Sequence, residues 1–139
     1  MDLYEIFLKK IHIAVPKTKN DPILEASFQR VNEAYFHGMM EQPNLAWGTN
    51  SMRLLGKYEY GSDTITMSTI FKGEDTSLLD FIMYHETLHK KHKFSTKNGR
   101  SFHHTPAFLA DEKRFAGYNA VQKTIEVLVR RKKRFFFHF

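Results

Sequence analysis

Residues 78–89 constrain the fold more than any other segment. Leu78, Leu79, Phe81, Ile82, Met83 and Tyr84 cover most of the circumference of a helix. A helix apolar nearly all round belongs in the middle of a domain. The same helix then carries His85, Glu86 and His89. Polar groups without partners are costly in a buried helix, so the fold has to supply partners for these three. Ser77 with Asp80 three residues on reads as a capping-box-like start.

His85-Glu86-Thr87-Leu88-His89 is an HExxH motif. Residues i and i+4 of a helix are separated by about 6 Å of rise and about 40° of rotation. Two imidazoles on adjacent turns can therefore share one metal ion at roughly 2.0–2.1 Å. Glu86 projects about 100° around the helix from His85. It can reach a water activated by the metal without ligating the metal, as a general base must. The chain has no cysteine, which excludes disulfides and Cys-ligated zinc ribbons or fingers. One zinc ion held by histidine and carboxylate is the expected cofactor, and metal-assisted hydrolysis of peptide bonds the expected chemistry.

Such a site needs a third ligand. His92 extends the register but lies about 10 Å of rise beyond His85, too far to share a metal on one straight helix. It reads as a solvated histidine among Lys90, Lys91 and Lys93. His103 and His104 follow a loop long enough to return to the helix, and Glu112 is a further candidate. His103, Tyr118 and Arg53 are the candidates for stabilising the oxyanion.

Around this centre the pattern predicts a small α+β domain of one piece, residues 1–139. Leu3, Phe7 and Ile11 suggest a short helix within residues 2–13, followed by a polar connection over 14–22. Asp21 is a good N-cap with Pro22 at the first helical position, and Leu24, Phe28, Val31 and Tyr35 form one apolar stripe ending near Gly38. Short strands are expected at 45–47, 54–60 and 64–68, with a turn at Gly61-Ser62-Asp63. In the last of these, Ile65 and Met67 alternate with Thr64, Thr66 and Ser68, as in a half-buried strand. Residues 93–102 read as a loop with an Asn-Gly turn. Thr105 and Pro106 open a further helix with Phe108, Leu109 and Phe115 toward the core. Val121, Ile125, Leu128 and Val129 mark a last helix ending in the basic run 130–134.

Net charge is +6 and unevenly placed. Residues 1–112 hold 13 Lys+Arg against 14 Asp+Glu, so −1; residues 113–139 hold 8 against one, so +7. A basic end that also carries Phe135, Phe136, Phe137 and Phe139 suits single-stranded DNA, through phosphate attraction and base stacking. The opening Met1-Asp2-Leu3-Tyr4-Glu5 lacks the basic and apolar regions of a signal peptide. No apolar run approaches the roughly 20 residues of a membrane span, so a cytoplasmic protein is expected, with no membrane partner.

Over about residues 25–130 the chain resembles the SprT-like zinc metallopeptidases, which include the Spartan proteases. The resemblance rests on Asn32-Glu33-Ala34-Tyr35-Phe36 with Gly38, Trp47, Arg53-Leu54-Leu55-Gly56-Lys57-Tyr58, Ile65 to Ser68, the HExxH motif and His104-Thr105-Pro106-Ala107-Phe108. It implies a zincin-like fold, with a small three-stranded sheet packed on helices around a central HExxH helix. It implies His85, His89 and His104 as zinc ligands, since the family's third histidine stands four residues before an aromatic, and Glu86 as the catalytic base. The strand before the HExxH helix would border the substrate groove, and an extended peptide would add there as a strand. Spartan-type members act on proteins bound or crosslinked to DNA. Lys90 departs from the family, where the residue after the second histidine is often small, and the Cys-rich ribbon of many members is absent.

Three other readings use parts of the same pattern. A zinc-dependent endoribonuclease also has an HxxxH helix, but places its third histidine six residues after the second; here the spacing from His89 to His104 is fifteen. A zincin dedicated to one repressor differs only in substrate. A DNA-binding module with structural zinc would normally close its site with four protein ligands.

Overall fold

The computed structural model describes residues 21–92, 96–97, 100–101 and 104–137. The helix expected within 2–13, and the connection up to residue 20, lie outside the described residues.

Helix α1 (Pro22–Tyr35) starts where Asp21 accepts from the backbone N–H groups of Ile23 and Leu24, which would otherwise lack partners. Leu24, Phe28 and Val31 are buried along one stripe. After the helix the chain turns through left-handed His37 and Gly38, and the Gly38 N–H donates back to the Asn32 carbonyl.

Three strands follow: β1 (Asn44–Trp47), β2 (Gly56–Glu59) and β3 (Thr64–Met67). The order is β1-β3-β2, with β3 parallel to β1 and antiparallel to β2. Thr64, Ile65 and Met67 are all buried and Thr66 is half-buried, so alternation along β3 is weaker than expected. The topology also corrects the expected substrate strand. β3 precedes the HExxH helix but is paired on both sides, so among the described residues the edges of this sheet belong to β1 and β2.

Helix α2 (Thr76–Lys91) carries the HExxH motif and touches α1, β2 and β3. Its cap is Asp75, which accepts from the Ser77 N–H at 2.8 Å, and not the expected Ser77–Asp80 box. Asp80 instead accepts from Ser27 and, twice, from the Arg30 guanidinium, tying α2 to α1. Two-residue strands β4 (Thr96–Lys97) and β5 (Arg100–Ser101) pair antiparallel where a loop was expected.

Helix α3 (Pro106–Glu112) is capped by Thr105, whose hydroxyl accepts from the Phe108 N–H. Phe108 is fully buried and Phe115 buried, but Leu109 is 43% exposed. Consecutive helical residues point about 100° apart, and in this short helix Phe108 takes the inward direction. Helix α4 (Tyr118–Phe137) packs Val121, Ile125 and Leu128 inward and stays helical through the basic run. Both α3 and α4 also touch α2, which is therefore the hub of an α+β fold. No helix among the described residues is long and apolar enough to cross a membrane.

Candidate metal centre and active site

The HExxH spacing puts His85 and His89 one turn apart on α2, with ring centroids 4.9 Å apart. The third ring comes from His104, just before the α3 cap, at 5.3 Å from His85 and 5.0 Å from His89. One nitrogen from each histidine lies within 4.8 Å of the other two. Tetrahedral zinc with bonds of about 2.0–2.1 Å holds its nitrogens about 3.4 Å apart, within reach of small side-chain adjustments. His103, the alternative third ligand, lies outside the described residues. Phe108 is the platform beneath the cluster: its ring lies 5.1 Å from His85, 4.6 Å from His89 and 5.0 Å from His104.

Glu112 is brought to the site beside His85 and lies outside the three-histidine cluster. Its Oε2 lies 2.5 Å from Nδ1 of His85. A carboxylate facing Nδ1 requires that nitrogen to carry the proton, which leaves the Nε2 lone pair for a metal. Tyr118 donates its hydroxyl to Oε1 of the same carboxylate at 3.2 Å. The His85 hydrogen bond holds Glu112 below the usual carboxylate range against the opposing effect of burial, with Tyr118 and His104 assisting. So Tyr118 is tied to the site through Glu112, while Arg53 is exposed on the loop before β2.

Glu86 projects from the same helix as His85 toward β2, next to Gly56. Its Oε2 is 4.0 Å from Nε2 of His85. The residue is buried, and burial pushes its carboxyl up to about 7, against the pull of His85 and of the Tyr58 backbone N–H. That range suits a group that takes and returns a proton near neutral pH. Gly56 on β2 makes the approach possible. A Cβ there would lie 2.8 Å from Ile82 Cγ2 and 3.2 Å from Glu86 Cγ.

His92 is not part of the cluster, yet it is not simply solvated either. It lies 2.9 Å from Asp111 Oδ2, which also accepts from Lys91 at 2.7 Å. Against the upward push of burial, Lys91 and His92 hold Asp111 below its ordinary value. Adjacent acids at the end of α3 thus grip α2 at two heights. The sequence reading missed this pairing; two consecutive acids closing a short helix after a histidine were the available signal.

The chain matches no family model and no curated protein. Among solved structures it is similar to the metallopeptidase zymogen of Methanocaldococcus jannaschii jannalysin, with a TM-score of 0.58. The likeness covers 86% of this chain and 96% of that chain at 18% sequence identity. The fold is metallopeptidase-like. At that identity the likeness concerns the fold, and the chemistry has to be argued from the side chains above.

The donor set fits zinc. Three imidazoles converge, one has its outer nitrogen engaged by a carboxylate, and the fourth direction of a tetrahedron has no further protein ligand among the described residues.

Proposed function

We propose that this chain is a zinc-dependent endopeptidase of the SprT-like type. His85, His89 and His104 hold the ion, and Glu86 is the general base. Bound there, zinc supplies a Lewis acid that polarises a water and the scissile carbonyl. Glu112, steadied by Tyr118, fixes the His85 ring through Nδ1, so Nε2 is the nitrogen that would hold the ion. Glu86 accepts the proton of the attacking water on a carboxylate oxygen and returns it to the leaving amine nitrogen. Among the described residues β2 is paired on one side only, and its other edge, beside Glu86 at Gly56, offers backbone groups on which an extended peptide can lie as an added strand.

The observation that carries this reading is His85. Its Nδ1 faces Glu112 at 2.5 Å and its Nε2 lies 4.0 Å from Glu86. A structural zinc site needs neither an open position nor a buried carboxylate beside it. The test is cleavage of a denatured protein by the zinc-loaded chain, with and without a chelator. Cleavage that a chelator abolishes and zinc restores supports the reading. Cleavage indifferent to both, or none at all, sinks it.

The proposal extends to substrates bound or crosslinked to DNA, through α4. The helix continues across the basic run and presents Arg130, Arg131 and Arg134 beside exposed Val127. Arg131 also reaches Glu74 at 2.8 Å, an exposed pair of small energetic weight. Binding of single-stranded DNA should weaken with salt by a log–log slope of about −0.7 per neutralised phosphate. Truncation after Val129 should flatten that slope while sparing zinc. DNA affinity unchanged by the truncation would remove DNA from the proposal and leave the peptidase intact.

A further inference from the structure

Lys90 and Asp63 are buried to 5% and 2% exposure, and the mechanism above uses neither. The Lys90 ammonium donates to both Asp63 oxygens, at 3.0 and 3.1 Å. The Tyr58 hydroxyl donates to Asp63 Oδ1 at 2.7 Å. A chain of hydrogen bonds therefore runs from α2, through the turn after β2, into β2 itself. Asp63 holds a left-handed backbone at φ 47°, uncommon for a residue with a side chain. Its carbonyl accepts from the Asn44 N–H, so the start of β1 braces the same turn.

Such a pair is a poor way to gain stability. Taking both charges out of water costs about as much as their attraction returns, and apolar replacements are often neutral or better. What it does supply is placement. Lys90 stands one turn after Glu86 on the same face of α2, and that face is covered by β2. At the Glu86 level the strand is held close by the missing side chain of Gly56. At the Lys90 level it is held by the ionic chain.

We infer that Tyr58, Asp63 and Lys90 form a positioning clamp that fixes edge strand β2 against α2, setting Glu86 and the open strand edge in one geometry. The clamp deepens the peptidase reading and rests on it only for its effect on rate.

The test uses the full zinc-loaded chain and three forms of it: Tyr58→Phe, Lys90→Met, and the double variant Asp63→Asn with Lys90→Met. Lys90→Met strands a buried carboxylate and should cost most stability; the double variant removes both charges and should recover it. The readouts are zinc stoichiometry, Tm, amide hydrogen exchange at residues 56–59, and kcat and KM on a denatured protein. With Tm and zinc restored in the double variant, amides 56–59 should still exchange about tenfold faster than in the parent, the worth of one lost hydrogen bond. kcat should fall by a similar factor. Tyr58→Phe should show the same local loss with the ion pair intact. A double variant that regains exchange and kcat together with Tm would make the network merely structural and overturn the clamp. Exchange that rises throughout the chain in step with Tm would do the same. Exchange is read without substrate, so a chain that cleaves nothing sinks the peptidase reading while the clamp is judged on exchange alone.

Discussion

The two sides of α2 are built on different principles. Toward α3 the helix presents His85, His89, Lys91 and His92, half-buried or exposed, matched by Glu112, Asp111 and the Phe108 ring. Toward β2 it presents Glu86 and Lys90, both buried, against Gly56, Tyr58 and Asp63. A ligand side needs oriented nitrogens that an ion can still reach, and outer carboxylates supply orientation without closing the site. A base side needs desolvation, because burial is what carries the Glu86 carboxyl up to about 7. On the proposed reading one helix serves both because its neighbours differ.

If that division holds, changes on the base side should alter rate and spare metal, while changes on the ligand side should alter metal first. The largest effect belongs to Glu86→Gln, expected to lower turnover by about 100- to 10,000-fold with zinc content unchanged. Activity assay and metal analysis on one preparation decide it, and loss of zinc in this variant would break the division. His104→Ala should weaken zinc binding by about 100-fold or more, beyond what an outer partner contributes. His103→Ala should leave it unaltered, and competition with a chromogenic chelator reads both. If only His103→Ala loses zinc, the third ligand is the neighbouring residue.

Glu112→Gln comes next, at about 10- to 100-fold in zinc affinity, since it removes the charge that orients His85. An unchanged affinity with a lowered rate would move Glu112 to the base side of the comparison. The smallest effect concerns the lower grip on α2. Asp111→Asn should destabilise the fold by about 1–3 kcal/mol through its weakened bonds to Lys91 and His92. The folded pKa of Asp111 is depressed, so its contribution is fully present above the ordinary carboxylate value and is lost as pH falls through the lowered one. Denaturant unfolding of the metal-free protein should therefore show a gap between parent and variant that narrows below about pH 4. A gap that widens on acidification would contradict that sign.

How much of this was legible beforehand depended on the range of the interaction involved. The caps at Asp21 and Thr105 and the stripe of Leu24, Phe28 and Val31 are local, set within one or two turns. The spacing of His85, Glu86 and His89 is likewise a property of the helix itself. By contrast Asp80 looked like a capping residue and proved to be the partner of Arg30, fifty residues away in the chain. Glu112 looked like a possible ligand, and only the packing of α3 on α2 turned its carboxylate toward the outer nitrogen of His85.

By itself the sequence determined that a buried helix would carry two histidines one turn apart with a glutamate between them, because helical periodicity and hydrophobicity act over a few residues. Only the tertiary structure decided which strands lie at the edges of the described sheet, which acid meets His85 Nδ1, and that Lys90 lies inside with Asp63. Those outcomes rest on contacts between segments tens of residues apart, and no local propensity encodes them. A lysine after HExxH reads as a solvated charge until a carboxylate from a distant turn is placed beneath it at 3.0 Å.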